Sequence, residues 1–203
     1  MLPSEMSFLM ETLETKQKDY YYFKDKYALD VLALSLKDQL SVSELKKSPL
    51  GFLTNKKSVS NVLAKGGNGA VSNYHFENVF SEESVKFSVS LGKWCKFDKH
   101  FHDDWYQTSR NGENLVLQLN FDKQHLNEYF RLIDPDKDSH PFMYDCHPVL
   151  KKSGFTLAWA RLDVDLKSGE VLIEEIQNDW IREAKDSMVW AKRKLETEAK
   201  REK

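Results

Sequence analysis

Residues 169–180 read Gly-Glu-Val-Leu-Ile-Glu-Glu-Ile-Gln-Asn-Asp-Trp, and they set two adjacent carboxylates inside a run of aliphatic, partly β-branched side chains. The run is too short for a helix and too apolar for a surface loop, so it reads as a buried or half-buried strand. Neighbouring side chains on a strand point to opposite faces, so Glu174 and Glu175 cannot both escape to one wet side. A carboxylate facing the interior needs a cationic partner, a metal or a raised pKa.

Composition narrows what surrounds this strand. A chain of 203 residues with 40% hydrophobic and 12% aromatic content can build one substantial core, or a small module joined to a larger one. No apolar run approaches the roughly 20 residues needed to cross a bilayer, and Met1–Glu5 lacks the basic start of a signal peptide. Cys95 and Cys146 form no CxxC pair, which fits reduced thiols in the cytoplasm. Charge is uneven. Between Lys16 and Lys65 ten lysines face five acids, a surplus of five that leaves seven negative charges for the rest of a chain whose net charge is −2. Such a segment can be a solvated helical surface, or can meet nucleic acid or an acidic partner.

The first 70 residues are expected to form a helical subdomain. A weakly amphipathic helix covers about Ser4 to Lys18, and Tyr20-Tyr21-Tyr22-Phe23 leads into a stronger one through Leu36. Ser41-Val42-Ser43-Glu44 has the form of a capping box opening a short helix that stops at Ser48-Pro49. Ser58 to Lys65 forms another, with Val59, Val62 and Leu63 inward. This layout matches helix-turn-helix and winged-helix modules as well as any small helical packing unit. On the DNA-binding reading Lys56, Lys57 and Lys65 meet phosphates, while Ser58, Ser60 and Asn61 approach base edges.

Residues 71–203 are expected to form an α+β domain with a mainly antiparallel sheet. Val85, Phe87, Val89 and Leu91 alternate with Lys86, Ser88 and Ser90, a strand with one wet face. Asn111-Gly112 suits a hairpin turn between Trp105–Thr108 and Leu115–Leu119. Asp122 caps a helix with Leu126, Phe130 and Ile133 inward. Phe155–Leu166 and Glu170–Asn178 form a second hairpin whose register decides the chemistry. One register sets Arg161 opposite Glu175, which neutralises it; another sets Asp163 opposite Glu174, which crowds two acids on one face. Asn178 or Asp179 caps a last helix with Ile181, Ala184, Met188, Ala191 and Leu195 as its seam. Its end carries no stop signal, so the domain is expected to be truncated there.

Four groupings could carry chemistry. Asp163, Asp165, Glu174, Glu175 and Asp179 could hold magnesium or manganese if they converge, as carboxylates do in phosphodiester-cleaving enzymes. His100 and His102 with Asp104 could start a zinc or manganese site, completed by His125, His140 or His147. Asp134, Asp136 and Asp138 follow the opening of a calcium loop, but Ser139 stands where glycine is required. Cys146-His147 are neighbours in sequence, which does not by itself bring thiol to imidazole.

Glu174-Glu175-Ile176-Gln177-Asn178-Asp179-Trp180 resembles a Glu-Ile-Gln-Ser-Asp-Trp signature of uncharacterised proteins from bacteria, prophages and other mobile elements, with asparagine replacing serine at 178. The resemblance implies a bacterial or phage origin and draws attention to Glu175, Gln177, Asp179 and Trp180; it implies no reaction. The expectation is a non-enzymatic binding module for protein or nucleic acid, with a metal-dependent hydrolase built on the acidic hairpin as the alternative.

Overall fold

A computed structural model describes residues 1–13, 17–65, 69–95, 112–133, 142, 144, 147–149 and 155–201. It is an α+β fold, and the chain separates into two compact units. One comprises Met1–Tyr20 with Phe87–Lys203, the other Tyr21–Lys86. The sequence placed a single boundary near residue 70; here the first helix groups with the sheet instead.

The Tyr21–Lys86 unit is built from α2 (Lys26–Ser35), α3 (Val42–Lys47), a 3-10 turn over Gly51–Asn55, α4 (Lys57–Lys65) and the short α5 (Asn73–Phe76). Two short strands, β2 (Leu40–Ser41) and β3 (Ala70–Val71), pair antiparallel between them. Its core gathers Ala28, Leu29, Leu32, Leu45, Leu53, Val59, Val71 and Phe76. The capping box forms as read. Ser41 Oγ accepts from the Glu44 amide at 3.1 Å, and the Glu44 carboxylate accepts from the Ser41 amide at 2.8 Å. The helix it opens ends before Pro49.

In the other unit, α1 (Pro3–Thr12) is shorter than expected; the aromatic cluster does lead into α2, but Tyr20–Tyr22 run as part of strand β1 (Lys18–Tyr22), which passes from one unit to the other. Three tyrosines in a row favour a pleated strand over a helix. β1 borders a five-stranded sheet of order β1-β4-β5-β6-β7, with β4 Val85–Cys95, β5 Glu113–Phe121, β6 Thr156–Asp165 and β7 Glu170–Gln177. Helices α6 (Lys123–Ile133) and α7 (Asp179–Arg201) complete it. Both edges of β5 are taken, by β4 and by β6. Residues 105–108, its expected hairpin partner, lie outside the described residues. Gly112 adopts φ +133°, where any Cβ would also collide with the Met1 carbonyl.

Helix α1 covers one end of an apolar sheet face, where Met6 and Leu9 meet Leu91, Leu115, Leu162 and Val164. The opposite face inverts the sequence expectation for β4, because Ser88 and Ser90 are buried while Val85 is exposed. Both are tolerated because they are paired: Ser88 accepts from the Gln17 side-chain amide, and Ser90 joins a polar network. Ser90 donates to Gln118 (3.0 Å), Asn120 donates to Ser90 (2.8 Å), Thr156 donates to Asn120 (2.8 Å), and Gln118 donates to the Pro148 carbonyl (2.7 Å). Buried polar groups are stable when paired in this way. Asp122 caps α6 through the His125 amide at 3.1 Å. The residue buried on that helix is Tyr129; Phe130 and Ile133, expected inward, are exposed.

Candidate functional site at the hairpin and the start of the last helix

Turn and bulge together fix the chemistry of the β6–β7 hairpin. A four-residue turn, Leu166–Gly169, with Gly169 at φ +73°, sets Asp165 opposite Glu170 and Asp163 opposite Leu172. A β-bulge between Arg161 and Leu162 then shifts the pairing by one residue, so Arg161 faces Glu175. A bulge sets two residues of one strand against one of the other, which releases neighbouring side chains from strict alternation. Glu174 and Glu175 therefore reach the same cation. Arg161 bonds Glu175 Oε2 through Nε (3.1 Å) and Nη2 (2.9 Å), and its Nη1 lies 3.7 Å from Glu174 Oε2, an ion pair too long for a hydrogen bond. The Glu174 side chain is 3% exposed and that of Glu175 37%, with Arg161 almost wholly buried beneath the Trp94 ring.

The first register considered from the sequence is thus the one found at Arg161, by way of a bulge that spacing did not reveal. Asp163 stays away from the pair. It is buried and accepts from the Met1 α-amino group at 3.2 Å. The strand itself is not buried as its composition suggested. β7 is the sheet edge, and Val171, Leu172, Ile173 and Ile176 are all exposed while the acids turn inward.

One turn further on, Asn178 caps α7 by accepting from the Ile181 amide at 2.9 Å. This frees Asp179, which is 4% exposed, to gather side chains: His147 Nδ1 at 2.6 Å, Gln177 Nε2 at 2.5 Å and Arg182 at 2.8 Å. Tyr144 donates to Glu183 at 2.6 Å, a bond that holds its phenol above the ordinary value, and Arg182 lies over the Tyr144 ring. Trp180 packs edge-on to Phe121 and Tyr129 and stacks on Phe142. Gln177, Asp179 and Trp180 are therefore neighbours with distinct structural tasks. The association of Gln177 and Asp179 with His147 was not legible in spacing. A His–Asp pair can orient an imidazole for proton transfer; here the carboxylate also serves Gln177 and Arg182.

The remaining candidates divide. Lys56 pairs with Asp25 at 3.5 Å and lies over Tyr27, and Ser58 donates to the Asp25 carbonyl, so both are used inside their own unit rather than left for a phosphate or base. Lys57, Ser60, Asn61 and Lys65 form an exposed stripe on α4. His125 bonds Asp122 and stacks on Phe87. His100, His102, Asp104, His140, Cys146 and the residues 134–139 lie outside the described residues. Among the described residues no group of three metal-ligating side chains comes together, and no helix is long and apolar enough to cross a membrane.

No family model matches the chain, and neither a curated protein nor a solved structure matches it.

Proposed function

We propose that this α+β protein is a binding module that docks another protein on the outer side of β7 and along α7. The observation that carries the reading is an inversion. On β7 the Glu174 side chain is buried beside Arg161 and Glu175 bonds the same guanidinium, while Ile173 and Ile176 face solvent, Ile176 at 72% exposure. By register Val171, Ile173 and Ile176 share a face, being paired with Val164, Leu162 and Ala160. An apolar edge strand left open invites pairing, and contiguous apolar surface marks interaction sites. Covering each isoleucine would contribute about 1.5–3 kcal/mol. A photo-crosslinking residue at Ile176 or Met188 in producing cells should trap the same protein, and one at Leu34 should not. Absence of that common adduct would refute the reading.

A second reading, nucleic-acid binding by α4, draws on its stripe of Lys57, Ser60, Asn61 and Lys65. Affinity for duplex DNA should then fall steeply with salt, and Lys57→Ala with Lys65→Ala should lower the slope by about two. The hydrolase reading draws less support, since Arg161 already serves the two inward glutamates. The likeness of Glu174–Trp180 to the mobile-element signature supports a bacterial or phage source. Two cysteines without paired spacing suit the cytoplasm.

A further inference from the structure

Resting on the protein-binding reading, we propose that α7 receives an acidic amphipathic helix of a partner protein. Its first turn is anchored by Trp180 and Asp179, but every residue from Ala184 to Arg201 is exposed. A helix of that length without packing is marginal in water, since most helical stability comes from a buried face. The face to be buried is recorded in the spacing. Ile181, Ala184, Met188, Ala191 and Leu195 recur at alternating intervals of three and four, the a and d positions of a heptad seam. Met188 and Leu195 are 73% and 67% exposed.

Charge selects the occupant. In this heptad frame Lys185, Lys192 and Ala199 hold the e positions, and Ser187, Lys194 and Arg201 hold g. Ala184–Arg201 carries six cations (Lys185, Lys192, Arg193, Lys194, Lys200, Arg201) against three acids (Asp186, Glu196, Glu198), in a chain that is net negative. A second copy laid antiparallel would bring Lys185 beside the other copy's Lys192. Laid parallel, it would set lysines opposite Ser187 and Ala199, with no ion pair gained. A helix with Glu at e and g satisfies the lysines in either direction. A lipid surface fits less well. Trp190 lies roughly 140° around the helix from the seam by the 100° step of an α-helix, so the apolar residues do not form one broad face. Trp190, 65% exposed, has Lys194 Nζ 5.3 Å from its ring centre, a cation contact on the side away from the seam.

The test uses the full chain and a fluorescent 21-residue peptide with Leu at a and d and Glu at e and g, compared with one carrying Lys at e and g. The acidic peptide should bind at least tenfold more tightly, and its affinity should fall with salt. Met188→Asp should weaken it tenfold or more while leaving tryptophan-monitored unfolding unchanged. Replacing Lys185, Lys192 and Lys194 by Glu should reverse the preference. Equal or absent binding, or binding indifferent to Met188→Asp, overturns the proposal. So does a concentration-dependent dimer, or adsorption to phosphatidylglycerol vesicles, that Met188→Asp abolishes. If the acidic peptide fails while the Ile176 and Met188 adduct persists, only the partner's chemistry is wrong; if the peptide binds and no adduct forms in cells, the wider reading falls.

Discussion

Replacing Arg161 by methionine isolates what holds the two glutamates. The substitution keeps most of the volume and removes the guanidinium charge beside Glu174, which is 3% exposed. Removing one member of a buried pair costs about 3–5 kcal/mol, mainly because the other charge remains in a poor solvent. The Glu175 side is 37% exposed and so contributes at most about 1 kcal/mol, and the Trp94 face a comparable amount or less. Arg161→Met should therefore lose about 3–4 kcal/mol, Glu175→Gln about 1 kcal/mol, and the double variant Arg161→Met with Glu174→Gln should recover about 2 kcal/mol of the loss. All five tryptophans lie outside Tyr21–Lys86, so tryptophan fluorescence in urea reads the sheet unit alone. With a slope of about 2 kcal/mol/M, the midpoint of Arg161→Met should fall by roughly 1.5–2 M. A loss under about 1 kcal/mol, or no recovery in the double variant, would refute Arg161 as the anchor. So would a midpoint raised by magnesium or manganese in the parent and not in Glu174→Gln, which would restore the metal reading.

Other outcomes follow from the same geometry. Asp179→Ala removes the acceptor shared by His147, Gln177 and Arg182 and should cost about 2–3 kcal/mol by the same fluorescence assay. Ser41→Ala should destabilise the Tyr21–Lys86 unit by about 1 kcal/mol, read by circular dichroism. Glu44 is held below its ordinary value of 4.5 by hydrogen bonds from the Ser41 hydroxyl and amide. Its contribution is present above that value and lost as pH falls through the lowered one, so acid melting of this unit should shift in Glu44→Gln. Tyr144 is raised above 10.0 by its bond to Glu183. The fold favours the neutral phenol, so that stabilisation persists below pH 10 and disappears as pH climbs through the raised value; Tyr144→Phe should abolish this alkaline component of the melting curve.

Local signals determined a good part of this protein. The capping box at Ser41, the stop before Pro49, the Asp122 cap and the β6–β7 hairpin are written within a few residues, because capping and turn formation are short-range chemistry. That one of two neighbouring carboxylates needed holding was also legible, since strand alternation is local. Only the tertiary structure decided what held it. A bulge turned both acids toward Arg161, and edge position exposed the aliphatic residues of β7 that composition alone would bury. Ser88 was satisfied by Gln17, 71 residues away, Ser90 by Gln118 and Asn120, 28 and 30 residues away, and His147 met Asp179 across 32 positions. Pattern reports which side chains are polar; whether a polar group is dry and satisfied depends on what the rest of the chain brings opposite it.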